Sequence, residues 1–309
     1  MNKLACIFPG QGAQYVGMGR DFYQAYAVAR DTIEEAEDLL EKNLKEIIFE
    51  GPESTLTQTH HSQLAIYVIS MAQYNVVQEL FPHLTPSFCS GLSLGEYTAI
   101  TAANKMSYKD CLKLVERRGQ FMSDACESTK GTMAVVLGLD GDTVESFAKG
   151  IENLWVANLN CPGQVVISGT QAGIDRGAEA AKQAGAKRVL PLQVHGAFHS
   201  GLMQQAEERL APYIHEASIV SSETRLAMNV PGDLVEDISQ IRQNLISQVT
   251  HSVRWQQGIE SLCKEGVDLF IEVGCGKTLA GMNKRMGVSV PTISIEKVED
   301  LKQLETVRI

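Results

Sequence analysis

The sequence predicts an α/β protein, with a large domain on a mostly parallel sheet covered by helices and a small ferredoxin-like β-α-β-β-α-β unit inserted into it. Three observations carry this reading. Short apolar runs bounded by turn residues alternate with helix-periodic stretches through most of the 309 residues, which is the pattern of a parallel sheet. One segment of about 65 residues breaks that order and reads strand, helix, strand, strand, helix, strand. Finally, Gly91-Leu92-Ser93-Leu94-Gly95 falls between a strand and a helix and fits the G-x-S-x-G nucleophile elbow.

In chain order, residues 4–8 form the first strand, and Pro9-Gly10-Gln11-Gly12 is the turn that hands it to a helix. Helical periodicity runs through DFYQAYAVARDTIEEAEDLLEK. After the loop GPESTLTQT, Ser62 is the expected N-cap of a long apolar helix ending near Leu80. A strand near 87–90 leads into GLSLG, the next helix starts near Leu94, and two more helices are expected within 107–124. The character changes at the polar stretch 127–131. MAVVLGL, DTVESFAKGI, LWVANLN, QVVISGT, GIDRGAEAAKQAGA and KRVLPLQV then supply the inserted unit. The expected boundaries are 130–194 for that subdomain, with 1–129 and 195–309 forming one discontinuous catalytic domain. The remaining helices are SGLMQQAEERLAPYIHEA, ISQIRQNLISQV and WQQGIESLCKEG, and the remaining strands RLAMNV, DLFIEVG and VPTISI.

Composition narrows the function. A formal net charge of -10 argues against general nucleic-acid binding, which needs surplus Lys and Arg to neutralise phosphates. An acidic partner would have to dock on a local basic patch. Seven cysteines, scattered without C-x-x-C spacing, suit a reducing compartment and neither a disulfide framework nor a zinc site. The apolar run before Pro9 is too short for a signal peptide, and no stretch has the length of a membrane span. A cytoplasmic protein, off the membrane, is expected.

A serine hydroxyl is a poor nucleophile until a base stands within hydrogen-bond reach. Of seven histidines, His195 and His199 stand out in VHGAFHSG, where the chain leaves the small unit, because such junctions commonly carry clefts. Their H-x-x-x-H spacing lacks the glutamate of HExxH, so no metal is expected. One is the base and the other a structural donor; the spacing leaves open which. The oxyanion donors expected are the backbone N–H of Leu94, directly after the serine, and Gln11 in the loop after the first strand. Arg117 and Arg118 point about 100° apart on a helix, so one can turn inward while the other stays solvated. A buried arginine calls for a carboxylate or phosphate.

FPGQGAQYVGMG, SGLSLGEYTA, LVERRGQFM, NCPGQVVISG, GAFHSGLM and IEVGCGKTL occur in that order. Together they resemble the malonyl-CoA:acyl-carrier-protein transacylases of fatty-acid synthesis and the related acyltransferases of polyketide synthases, over almost the whole chain. The resemblance implies an α/β-hydrolase-like domain with a ferredoxin-like subdomain. It implies Ser93 as the acylated nucleophile, His199 as the general base, and Gln11 with Leu94 N–H as the oxyanion groups. Arg118, directly before Gly119, would hold the free carboxylate of malonyl, and Gln63 would line the cleft. Phe198 beside His199 would leave no room for an α-methyl group. Arg254 in SVRW falls where the family offers a main-chain carbonyl to the histidine. Leu92, Cys161 and Cys275 stand where the family often has histidine, serine and proline. The substrates implied are malonyl-CoA and phosphopantetheinylated acyl carrier protein, with no cofactor, and the chain is expected to act as a monomer. The carrier is expected to dock through Lys187 and Arg188, or Lys284 and Arg285. A discrete malonyl acyltransferase serving a polyketide synthase is the alternative.

Overall fold

A computed structural model describes residues 3–194 and 196–307. Its larger sheet is built outward from β1 (Leu4–Phe8), which pairs in parallel with β2 (Phe88–Gly91) on one side and β9 (Leu269–Val273) on the other. β10 (Thr292–Ile295) lies beyond β9, and β7 (Arg225–Met228) beyond β2, both parallel. The short β8 (Asp233–Val235) turns back antiparallel at the edge. LACIF, FCSG and LFIEV are buried along their whole lengths. That is why they read as unbroken apolar runs, as strands covered on both faces do.

The smaller sheet contains β3 (Thr132–Leu137), β4 (Leu154–Cys161), β5 (Gln164–Gly169) and β6 (Arg188–Pro191), in the spatial order β4-β5-β3-β6. Every neighbouring pair is antiparallel. α7 (Gly141–Ala148) and α8 (Gln171–Gln183) connect its strands, and Val136, Val144, Leu159, Ile167 and Ile174 share its own apolar core. The two sheets are tied at β4. Val253, in the loop before α11 (Trp255–Lys264), donates its N–H to Ala157 O and accepts from Leu159 N–H.

The helices of the large sheet depart from the sequence reading in three places. The predicted helix over 21–42 is two, α1 (Arg20–Ala25) and α2 (Ala27–Leu40), because Tyr26 between them is extended at φ -125° and ψ 131°. α3 (Glu53–Leu56) precedes α4 (Thr59–Leu80), which starts earlier than expected, with Gln58 at its N-cap. Ser62 therefore does not cap it. Its buried hydroxyl is satisfied inside the helix by donating to Thr59 O at 3.2 Å. After α5 (Gly95–Ala102), the two helices expected within 107–124 are one, α6 (Tyr108–Ser128), capped by Ser107, whose hydroxyl accepts from Asp110 N–H. Gly119 does not break it. A Cβ there would lie 3.0 Å from His60 Cα, so the glycine serves a close crossing of α4 and α6. α9 (Gln204–Glu216), α10 (Ile238–Ser247) and α12 (Thr278–Arg285) complete the cover. The seven cysteines stand free, and among the described residues no helix is long and apolar enough to cross a membrane.

Candidate active site

The carboxyl ends of β1 and β2 lie side by side, with Phe8 in register with Gly91. Parallel sheets leave a crevice at such ends. Each end continues into a glycine turn, and the two turns interlock. Leu92 N–H donates to Phe8 O at 3.0 Å, and a Cβ on Gly95 would fall 2.2 Å from the same oxygen. A Cβ on Gly91 would fall 1.9 Å from Gly95 C and O. Only glycine fits either position, so the backbone reverses between them and holds Ser93 at φ 52°, in the left-handed region. That conformation costs energy and puts the hydroxyl on the outside of the turn.

Ser93 Oγ lies 2.8 Å from His199 Nε2. The other ring nitrogen, Nδ1, is 2.7 Å from the Gln248 carbonyl. A carbonyl can only accept, so Nδ1 carries the proton and Nε2 presents its lone pair to the serine. Burial, reinforced by the positive charge of Arg118, lowers the His199 pKa to about 4; the hydrogen bond to Gln248 opposes the shift. The imidazole is therefore neutral and basic at neutral pH. The hydrogen-bonded carbonyl is that of Gln248, with the backbone of His251 also acting on the ring, and neither is that of Arg254. Arg254 points away and pairs with Glu145 on α7 at 2.9 Å, tying the large sheet's cover to the small one.

Of the two arginines, Arg118 turns inward and is 1% exposed, while Arg117 lies over the Tyr213 ring at 3.8 Å. Arg118 Nη2 is 3.1 Å from Ser93 Oγ and 2.8 Å from Gln248 Oε1, and Nη1 donates to Gln63 Oε1. The Tyr97 ring lies 5.4 Å from the guanidinium carbon. All three hydrogen-bond partners are neutral oxygens, and burial works against the charge. A guanidinium so held beside Ser93 retains strong attraction for an anion.

Three polar side chains complete the frame, and sequence reasoning did not single them out. Asn229, just past β7, accepts from Ser93 N–H at 2.7 Å and donates to Gly91 O at 2.7 Å, clamping both ends of the elbow. Glu96 accepts from Asn229 N–H at 2.6 Å and from Gln248 Nε2 at 2.6 Å. Burial pushes its pKa up to about 7, against those hydrogen bonds and the charge of Arg118. Gln248 Nε2 also donates to Ser93 O at 2.9 Å. Asn229 had a signal, a polar residue at the carboxyl end of a predicted strand. Glu96 had one too, as the lone acid of the apolar segment GEYTAITA. Gln248 had none, since it closes an ordinary polar helix.

The remaining sequence candidates fall at varied distances from this centre. Leu94, buried at the N-cap of α5, and Gln11 donate their backbone N–H groups to no described residue, and the Gln11 side chain is 3.5 Å from Thr59 Oγ1. Gln63 and Phe198 are buried, at 0% and 7% exposure. His195 lies outside the described residues. Lys187, Arg188, Lys284 and Arg285 are exposed. Arg188 is in register with Leu137, Leu137 with Gln164, and Arg285 Nη1 donates to Gln164 Oε1 at 2.5 Å. Both basic pairs thus stand at one end of the small sheet. Cys161, opposite Gln164, shares an apolar cluster with Leu92 beside the nucleophile.

The acyl transferase domain family matches residues 5–302. The malonyl CoA-acyl carrier protein transacylase of Bacillus subtilis is 39% identical over 306 residues, covering 98% of this chain and 96% of the relative. Among solved structures, the acyl carrier protein S-malonyltransferase of Vibrio cholerae superposes with a TM-score of 0.92 at 35% identity, covering 98% of this chain and 99% of that one. A malonyl-transacylase solved in complex with its type II polyketide acyl-carrier protein superposes with a TM-score of 0.92 at 33% identity, covering 97% and 98%.

Proposed function

Because this chain belongs to the acyl transferase domain family, we propose that it carries malonyl groups from coenzyme A to the phosphopantetheine thiol of an acyl carrier protein, supplying fatty-acid chain elongation. The observation that carries the reading is the buried Arg118, paired with no carboxylate among the described residues, standing 3.1 Å from a serine that is itself 2.8 Å from a neutral histidine. A hydrolase acting on simple esters has no use for an uncommitted buried cation at its nucleophile. A malonyl thioester brings the carboxylate that fits it.

The transfer runs in two halves. His199 Nε2 takes the Ser93 proton as Oγ attacks the thioester carbonyl, while the Gln248 carbonyl holds the imidazolium that forms. Leu94 N–H and Gln11 meet the oxyanion. The C–S bond breaks, the proton passes from His199 to the coenzyme A sulfur, and malonyl stays on Ser93 as an ester. The carrier's thiol then enters and gives its proton to His199 as its sulfur attacks the ester carbonyl; the C–O bond to Ser93 breaks, His199 returns the proton to Ser93 Oγ, and the carrier leaves with the malonyl group as a thioester. Every proton and bond is accounted for by these residues, so the chemistry calls for no cofactor. Arg118 binds the free carboxylate through its fork, Gln63 steadies the guanidinium, and Phe198 fills the space an α-methyl group would need. The carrier, an acidic protein, docks on the basic end of the small sheet. The enzyme works as a cytoplasmic monomer, and residues 130–194 act as a subdomain that carries this docking face.

Intact mass of the protein mixed with malonyl-CoA tests the first half. The wild type gains one malonyl group and Ser93→Ala gains none; labelling that survives Ser93→Ala refutes the mechanism. Arg118→Ala loses one to two decades of malonyl-over-acetyl preference, from a charge-assisted contact of roughly 1.5–3 kcal/mol. Lysine does not restore it, for want of the fork. A second reading, service to a polyketide carrier, draws on the likeness to the transacylase solved with such a partner. Transfer rates to a fatty-acid and a polyketide carrier, measured side by side, distinguish the two.

A further inference from the structure

Glu96 lies three residues beyond the nucleophile, is 1% exposed, and takes no part in the transfer steps above. Asn229 N–H and Gln248 Nε2 each approach one of its oxygens at 2.6 Å. Gln248 turns its other amide atom, Oε1, to Arg118 Nη2 at 2.8 Å. The direction of that amide is fixed by its neighbours. The ionised Glu96 carboxylate and the Ser93 carbonyl, 2.9 Å away, can only accept, and the guanidinium can only donate. A buried acid and a buried arginine ordinarily pair through the forked contact, the strongest geometry open to them. Here one amide stands between them.

The geometry points to Glu96 as a positioning residue that, acting through Gln248, holds Arg118 ready for a substrate carboxylate without occupying it. The inference rests on the reading of Arg118 as the malonyl-binding group. Two effects combine. The Glu96 charge, across the length of one side chain, opposes the effect of burial and helps keep Arg118 charged without taking a direct contact on the guanidinium. Ionised Glu96 also joins Ser93 O and Arg118 in holding the Gln248 amide in one direction. Turning it would set Nε2 against Nη2, donor facing donor, and Oε1 against Glu96 and Ser93 O, acceptor facing acceptor.

Replacing Glu96 with glutamine removes the charge and one of the acceptors that hold the Gln248 amide. The single oxygen of the substituted side chain must satisfy Asn229 N–H, so its amide nitrogen faces Gln248 Nε2, donor against donor. Ser93 O and Arg118 still favour the present direction of the amide, so Gln248 must shift away from residue 96 or turn against them, and either way its hold on Arg118 weakens. In acylation kinetics with malonyl-CoA and acetyl-CoA, Glu96→Gln raises the KM for malonyl-CoA about tenfold with kcat held within about threefold, and malonyl-over-acetyl preference falls about tenfold, the scale of one charge-assisted hydrogen bond. Glu96→Asp, still acceptor-only, keeps most of the preference. Gln248→Met, which removes the amide while leaving Glu96 in place, loses it as Glu96→Gln does, and provides the test should Glu96→Gln not fold.

Loss of kcat with both donors alike would mean that Glu96 only supports the elbow, and would overturn the proposal. So would a Glu96→Gln or Gln248→Met enzyme with the wild-type preference. A wild type that prefers acetyl-CoA overturns the malonyl reading together with this one. A malonyl-selective wild type with unchanged variants overturns this one alone.

Discussion

At the residue scale, the pKa of His199 makes the sharpest statement about the chemistry. An exposed imidazole would begin to lose its basic form below its ordinary value of about 6.5. His199, lowered to about 4 by burial and by Arg118, keeps that form well below neutrality. With acetyl-CoA, which brings no carboxylate to Arg118, the pH profile of kcat/KM is therefore expected to show no inflection near 6.5 and to fall only as pH nears 4, whereas with malonyl-CoA the protonation of Glu96 at about 7 adds a step of its own. An inflection near 6.5 with acetyl-CoA would place the working base outside this site. Stability follows with a definite sign. Between about 6.5 and 4 the unfolded chain binds a proton that folded His199 refuses, so the protein is less stable at the acid end of that window and regains stability as pH rises. Residue patterns reached serine, histidine and arginine as types and left two pairs open, which only the resemblance to known transacylases narrowed to His199 and Arg118. Arg117 and Arg118 differ only in which way α6 turns them. The spacing of His195 and His199 does not distinguish a base from a structural donor.

At the element scale, the elbow was legible because its demands are local. A strand, a turn too tight for side chains and a helix follow one another within 88–102, and glycine marks the turn. Gly91→Ala and Gly95→Ala are each expected to cost more than about 4 kcal/mol, since the added Cβ would meet backbone that cannot move. Gly281→Ala is the contrasting case: it lies in α12, exposed, with nothing within 4 Å of the new Cβ. It should stabilise by about 0.5–1 kcal/mol. Denaturant midpoints measure all three; an unharmed Gly91→Ala would refute the interlocked turns. Helix ends were less legible. Ser62 has the chemistry of a cap and is used inside α4, while the break at Tyr26 has no glycine or proline to announce it.

At the scale of the whole molecule, strand order and the meeting of the two sheets are the features no segment declares. Lys187–Arg188 and Lys284–Arg285 are far apart in the chain, yet the register of β6, β3 and β5 and the reach of Arg285 bring them to one end of the small sheet. On a protein of net charge -10, such a local patch is what an acidic carrier would need. Charge reversal at either pair is expected to slow transfer to the carrier at low salt while leaving acylation of Ser93 by malonyl-CoA unchanged, and added salt should shrink the difference. Unaltered carrier rates after reversing both pairs would move the docking face elsewhere.

Local pattern along the chain was enough for the α/β class, the order of elements around the small sheet and the strand-turn-helix around Ser93. Periodicity and the steric needs of a tight turn act over a few neighbouring residues and leave their mark there. Packing alone shows how Arg118 is turned inward and held, that the Gln248 carbonyl holds the histidine, and that Asn229 and Glu96 frame Ser93. Those contacts join residues 49 to 155 positions apart to tolerances of tenths of an ångström. Hydrogen bonds of that precision exist only after the sheet has closed and the helices have packed, and no local pattern encodes them.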